Sequence, residues 1–218
     1  MTTRHTMAVV FDLDGTLVDT MTSAPQAYAD TIRSLGGPEV SPSEVVAVWH
    51  IGPTQVVLEH FLGRQISPHD TERFHRFFDA VVATVEPFPG VIDMLDALSQ
   101  GGYRLGVFTT ATRRAATSML TAASGLAGYF PVVVGGDEVS RPKPAPDGLE
   151  LTCRRLGTGA TDAVYVGDAA VDLQCADAAN ASGIHAAWDS VNIIEPTAER
   201  IAQRPHDVVE LVRRLQTR

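Results

Sequence analysis

The sequence predicts an α/β protein, a doubly wound parallel sheet with an α-helical cap inserted into it. Three observations carry this expectation. Four short apolar runs, AVVF (8–11), RLGVF (104–108), PVVVG (131–135) and AVYVG (163–167), have the unbroken character of strands buried on both faces. Helical patterns separate the later runs, and strand–helix alternation is the signature of a parallel sheet. Between the first and second runs lie about 65 residues that read as helical, far more than a crossover needs.

Each element has its own signals. GVIDMLDALSQGG (90–102) places Ile92, Leu95 and Leu98 three apart and stops at a glycine pair, and PDGLELTCRRLG (146–157) carries Leu149, Leu151 and Leu156 before another glycine. The last helix, HDVVELVRRLQ, has an apolar face at Val208, Val209, Val212 and Leu215. In the long interval, SPSE (Ser41 to Glu44) is a capping box with proline at the first helical position, and SPHD (Ser67 to Asp70) offers a similar start. VDTMTS would lead the chain out of the sheet and EPFPG (86–90) would return it. The expected division is therefore a core of residues 1–20 and 86–218 and a helical cap of residues 21–85.

Composition narrows the function. At 218 residues, 44% apolar and 20% charged, the chain is long enough for a substantial core and has no disordered character. A formal net charge of −9 and the lack of a lysine- or arginine-rich run argue against nucleic acid or an anionic membrane as partner. A small anionic substrate stays compatible, since a metal and a few placed cations reverse a local field. Cys153 and Cys175 have no metal-ligand spacing and suggest small core side chains in a reducing compartment. The polar start MTTRHT and the absence of a run approaching the ~20 residues of a membrane span make the cytoplasm the expected location.

In an open parallel sheet a site forms at the carboxyl ends of the strands. Asp12 and Asp14 follow the first run, Thr109 and Thr110 the second; Lys143 lies between two prolines after the third, and Asp168 and Asp172 follow the fourth. Two aspartates one residue apart repel each other unless a cation, a shared proton or a reaction requires them. A DxDG stretch also occurs in calcium loops, but the later acids do not follow at that spacing. Hard oxygen ligands without cysteine or histidine suit Mg2+, which takes a few carboxylates, water and substrate phosphate oxygens. Phosphoryl transfer needs such a set, with one carboxylate attacking to form an aspartyl phosphate and its neighbour moving the proton. Arg113 and Arg114 open the next helix and could reach a substrate anion, although charges in a first helical turn are usually solvated. His50, His60, His69 and His75 follow no ligand motif and read as surface or structural, while Trp49 and HIGPT (50–54) are candidates for a substrate-facing loop.

FDLDGTLVDT, the VFTT end of the second strand, RPKPAPD and VGDAAVD together resemble the four motifs of the haloacid dehalogenase superfamily, in the order found in its phosphatases. The long helical insertion just after the first motif is similar to the cap of phosphoglycolate phosphatase-like members. The resemblance implies a Rossmann-like core, Asp12 as nucleophile and Asp14 as general acid and base, with the Asp14 carbonyl also on Mg2+. It further implies that Thr109 and Thr110 face the phosphoryl group, that Lys143 balances charge, and that Asp168 ligates the metal with Asp172 in support; Arg113 is a candidate substrate contact. Asp14 argues against a dehalogenase, which lacks an acid there. Ala111 stands where many relatives have lysine, and IHAAWDS after Gly183 departs from the tryptophan-glycine ending usual for that strand.

The expected function is a Mg2+-dependent phosphatase acting on a small phosphorylated metabolite, a phosphomonoester of the phosphoglycolate or sugar phosphate kind. A sugar phosphomutase of the β-phosphoglucomutase type shares the same core. A regulatory phosphoacceptor also combines acids, a threonine and a lysine, but its acceptor lies on a different strand from its acid pair and it carries no cap.

Overall fold

The computed structural model describes residues 7–20, 23–52, 54–82, 85–188 and 198–216. Its centre is a six-stranded sheet of β1 (Ala8–Phe11), β2 (Arg104–Phe108), β3 (Val132–Val134), β4 (Ala163–Gly167), β5 (Ser182–Ala186) and β6 (Ile201–Ala202). The spatial order is β3-β2-β1-β4-β5-β6, with every pairing parallel. The chain thus winds outward from β1 in one direction and then in the other. Such a sheet has its crevice beside the central strand, where the two directions part.

β1 is buried along its whole length, and its alternate side chains enter two different cores. Val9 and Phe11 join the cluster that contains α5 (Val91–Gln100), α6 (Arg113–Ala122) and α9 (Pro205–Gln216). Ala8 and Val10 join the other, with Leu149, Cys153 and Leu156 of α7 (Asp147–Leu156) and Cys175 and Ala176 of α8 (Ala170–Ala178). This two-sided burial is the reason that the strands read as continuous apolar runs. The two cysteines are small core side chains, as their spacing suggests, and burial pushes their thiols up to about 11 and about 12.

Between β1 and α5 the chain forms α1 (Ala24–Ser34), α2 (Pro42–Val48), α3 (Thr54–Leu62) and α4 (Pro68–Val82). Ser41 caps α2 as expected, its hydroxyl accepting from the Glu44 amide while the Glu44 carboxylate accepts from the Ser41 amide. Ser67 and Asp70 exchange the equivalent bonds at the start of α4. Tyr28 of α1 seals these helices together, its ring centroid 4.8 Å from Phe74 and 5.5 Å from Trp49. Trp49 therefore packs inward, and the His50 side chain and Pro53 of the expected substrate loop lie outside the described residues. The outgoing and returning chains run side by side: Val18 bridges Pro87 in antiparallel fashion, and the Phe88 amide donates to the Leu17 carbonyl at 3.1 Å.

The expected strands β1, β2 and β4 have the bounds read from the sequence, while β3 is shorter by one residue at each end. β5 and β6 add to the four strands legible as apolar runs. Among the described residues, no helix is long and apolar enough to cross a membrane.

Candidate active site

Parallel pairing carries the strand ends to one edge. Phe11 lies opposite Val107 and Val166, so Asp12 emerges between the ends of β2 and β4, its amide donating to the Val166 carbonyl at 2.8 Å. Asp168 follows directly from β4, and Asp172 rises one turn later from α8. Ligand atoms of Asp12, Asp168 and Asp172 all lie within 4.8 Å of one another, and all three residues are buried.

Lys143 enters this cluster from the loop before α7. Its Nζ lies 2.7 Å from Asp12 Oδ1 and 2.6 Å from Asp172 Oδ1, with the side chain 2% exposed. The same ammonium sits 5.1 Å from the ring centroids of both Phe108 and Tyr165. The Tyr165 hydroxyl donates to the Phe108 carbonyl at 2.9 Å and also lies 3.3 Å from Asp172 Oδ1, while the Ala169 amide donates to Asp172 Oδ2. Asp172 is thus held on both oxygens. Sequence patterns did not single out Tyr165 or Phe108; the one signal present was a tyrosine inside the apolar run AVYVG.

Asp14 stands slightly apart. Its Oδ1 accepts from the Thr20 hydroxyl at 2.7 Å, and the Thr109 hydroxyl also acts on its carboxyl group. Thr109 is fully buried and accepts from the Ala111 amide at 3.1 Å, whereas Thr110 is exposed. Asp168 Oδ1 accepts from the Thr16 hydroxyl at 2.9 Å. The turn that carries Thr16 fits against Asp168 because residue 15 is glycine: it has φ +76°, and a Cβ there would lie 2.6 Å from Asp168 Oδ2.

Four carboxyl groups therefore share a poorly hydrated space with one ammonium. Burial raises the Asp12 carboxyl well above its usual range; Lys143 opposes this, and Asp172, Asp168 and Asp14 add to it. Burial likewise raises Asp168 to about 7, with Asp172 reinforcing the shift. Asp14 is raised by burial and pulled back by Thr20 and Lys143. For Lys143, burial alone would lower the pKa, but the Asp12 and Asp172 carboxylates overcome it and hold the ammonium charged. The surplus of negative charge and the all-oxygen donor set fit a divalent cation such as Mg2+ at Asp12, Asp168 and Asp172.

A sequence model described as haloacid dehalogenase-like hydrolase matches residues 9–186. The chain belongs to the haloacid dehalogenase-like hydrolase family. Within that family it falls among the phosphoglycolate phosphatase-like phosphatases. It is 29% identical to a phosphoglycolate phosphatase of Aquifex aeolicus over 205 residues, covering 94% of this chain and 95% of that one. It is 34% identical over 213 residues to a probable phosphatase, IndB, of Dickeya dadantii, covering 93% and 88%. The crystal structure of CbbY from Rhodobacter sphaeroides in complex with phosphate has the same fold, with a TM-score of 0.81 at 24% identity over 93% of this chain and 96% of that one.

The two arginines after the second family motif pair with residues other than the carboxylates of the cluster. Arg113 Nη1 pairs with Glu138 at 3.1 Å, and its amide donates to Asp137. Arg114 reaches α4 instead, with Nη2 2.8 Å from Asp79, Nη1 2.9 Å from His75 Nδ1 and a longer 3.6 Å approach to Glu72. His75 thus has a structural partner.

Proposed function

We propose that this chain is a Mg2+-dependent phosphatase that hydrolyses a small phosphomonoester through an aspartyl phosphate on Asp12. The observation that carries the reading is the placement of Lys143 between Asp12 and Asp172, with Asp168 completing the carboxylate group and Asp14 set apart on Thr20. One carboxylate is neutralised and fixed for attack, and a second, with a raised pKa, is free to carry a proton.

Asp12, Asp168 and Asp172 would hold the metal, with the Asp14 carbonyl as a further oxygen donor. Bound Mg2+ supplies charge neutralisation at the carboxylates and the transferring phosphoryl group. Lys143 engages Asp12 Oδ1 and leaves Oδ2 to attack phosphorus in line with the departing oxygen. As the phosphorus–oxygen bond breaks, Asp14 gives its proton to the leaving alkoxide, a role suited to a carboxyl raised by burial. Asp14, now a carboxylate, takes a proton from water; the water oxygen attacks phosphorus, Asp12 leaves as carboxylate, and phosphate is released. Thr109 and Thr110 follow the end of β2 and would face the phosphoryl group, Thr109 also steadying Asp14. Arg113 would contact substrate only by leaving Glu138.

Residues 21–85 are proposed to act as a cap on the core of residues 1–20 and 86–218. The paired connections at Val18 and Pro87 support this division, because both crossings lie together and next to Asp14. Closure over the site would exclude water and choose the leaving group.

Phosphate release from a panel of phosphorylated metabolites, with Mg2+ and beside Asp12→Asn, tests the proposal. One dominant substrate and a nearly inactive variant are expected, since loss of the nucleophile removes a covalent route that supplies many kcal/mol. An isomerised sugar phosphate in place of free phosphate would redirect the reading to a mutase, and a long-lived phosphoprotein would redirect it to a phosphoacceptor.

A further inference from the structure

We propose that Trp188 is a positioning residue for Asp168, acting through Thr16. The inference rests on the metal-site reading above and extends it to the chain that leaves β5.

β5 delivers the chain to Trp188, whose half-buried indole packs against the main core. Its Nε1–H donates to the Thr16 carbonyl at 3.0 Å. Thr16 is fully buried, and its hydroxyl donates to Asp168 Oδ1 at 2.9 Å. The neighbouring Gly15 backbone presses against the same carboxylate, leaving no room for a Cβ. The 14–18 turn therefore helps to set the orientation of Asp168, and that turn is held from outside by the rigid indole on the Thr16 carbonyl as well as by the Phe88 amide on the Leu17 carbonyl. An indole is well suited to hold it, because it offers a single N–H on a flat, well-packed plate and has no acceptor that could bind a competing donor. A turn free to slide by a fraction of an ångström would carry the Thr16 hydroxyl with it and leave Asp168 to rotate toward Asp12 and Asp172.

Calorimetric titration of the metal-free full chain with Mg2+ alone tests the relay. Trp188→Phe keeps the ring plate and loses the N–H, Thr16→Val keeps the shape and loses the hydroxyl, and Thr16→Ser keeps the hydroxyl. Removing a partner behind a metal ligand costs about 10- to 100-fold in affinity, so Thr16→Val should fall in that range and Trp188→Phe near its lower end. Thr16→Ser should bind within about twofold of the parent, well inside the 10- to 100-fold loss. If Trp188 acts through Thr16, the double variant Trp188→Phe/Thr16→Val binds no more weakly than Thr16→Val alone. Unfolding temperatures in chelator check that each variant is folded, and Trp188→Tyr, which also lacks the indole N–H, serves if the phenylalanine variant is not. Parental affinity in the Trp188 variants, or losses that multiply in the double variant, would overturn the relay while leaving the metal site standing. If the parent chain itself fails to bind Mg2+, the metal-site reading falls and the relay falls with it.

Discussion

Lys143 Nζ lies 2.6 Å from Asp172 Oδ1, and both side chains are only 2% exposed. A second carboxylate, Asp12, and the faces of Phe108 and Tyr165 surround the same ammonium. The lysine is thus a buried counter-charge held between the carboxylates rather than a solvated cation. Replacing it by methionine would keep much of the volume but leave buried carboxylates unpaired. Removing one partner of a buried pair costs about 3–5 kcal/mol, so Lys143→Met should unfold at clearly lower temperature and lose nearly all turnover. Lys143→Arg should fail almost as badly, because a planar fork cannot replace a compact ammonium between two rings. Full activity in the arginine variant would show that only charge matters there.

The raised carboxyls predict a pH-dependent response to metal. Asp168 is held near 7 against an ordinary 3.8, and Asp12 is raised as well, so the metal-free folded chain binds protons that the unfolded chain releases. The contribution of these two groups to the stability of the metal-free protein should therefore fall as pH rises from about 4 through about 7. A cation that occupies the carboxylates removes this penalty, and the stabilisation by Mg2+ should be small at about pH 5 and grow toward about pH 8. Thermal unfolding at a series of pH values, with Mg2+ or chelator, measures it. A shift that is flat across this range would mean that the cation does not compete with protons at these groups.

How much of this could be read from the sequence depends on whether a feature is local. β1, β2 and β4 announced themselves because a strand covered on both faces must be apolar at every position. β5, SGIHA, carries serine, glycine and histidine and shows no such run, and β6 has two residues that become a strand only by pairing with β5. The same distinction runs through the site. Asp12, Asp14, Thr109, Lys143, Asp168 and Asp172 were visible because each follows a strand or sits in a constrained loop. Tyr165 was not singled out within its apolar run, since its hydroxyl finds the Phe108 carbonyl on a strand two places away in the sheet. Arg113 and Arg114 read as solvated charges within reach of an anion because Glu138, Asp79 and His75, remote in sequence, could not be seen to claim them.

Arg114 ties α6 to α4 through Asp79 and His75. Both members of the Arg114–Asp79 pair are more than a third exposed, at 48% and 41%, so solvent screening limits the contact to about 0.2–1 kcal/mol. Arg114→Ala should accordingly leave the unfolding temperature almost unchanged yet speed amide exchange in α4, and added salt should reproduce part of the effect in the parent. His75 is held below its usual 6.5 by burial and by Arg114, so it accepts from the arginine while neutral, and acid should loosen the same contact. Unaltered exchange in α4 would mean that apolar packing alone holds the two helices together.

Gly167 ends β4 immediately before Asp168, and a Cβ there would lie 2.4 Å from both Cγ and Oδ2 of Asp172. The clash is with a carboxylate that Lys143, Tyr165 and the Ala169 amide hold in place, so the neighbour has little freedom to give way. Gly167→Ala should cost about 1–3 kcal/mol from overpacking and, by pushing Asp172 off Lys143, remove most of the activity. Gly159→Ala is the matched control: its added Cβ meets only Thr161 Oγ1 at 3.5 Å on an exposed turn, and a change within about ±0.5 kcal/mol is expected. Denaturant unfolding and turnover, measured on both variants, separate the two cases. An active, stable Gly167→Ala would show that Asp172 can shift without consequence, and that the Lys143 contact does not depend on the close approach of strand and helix at this point.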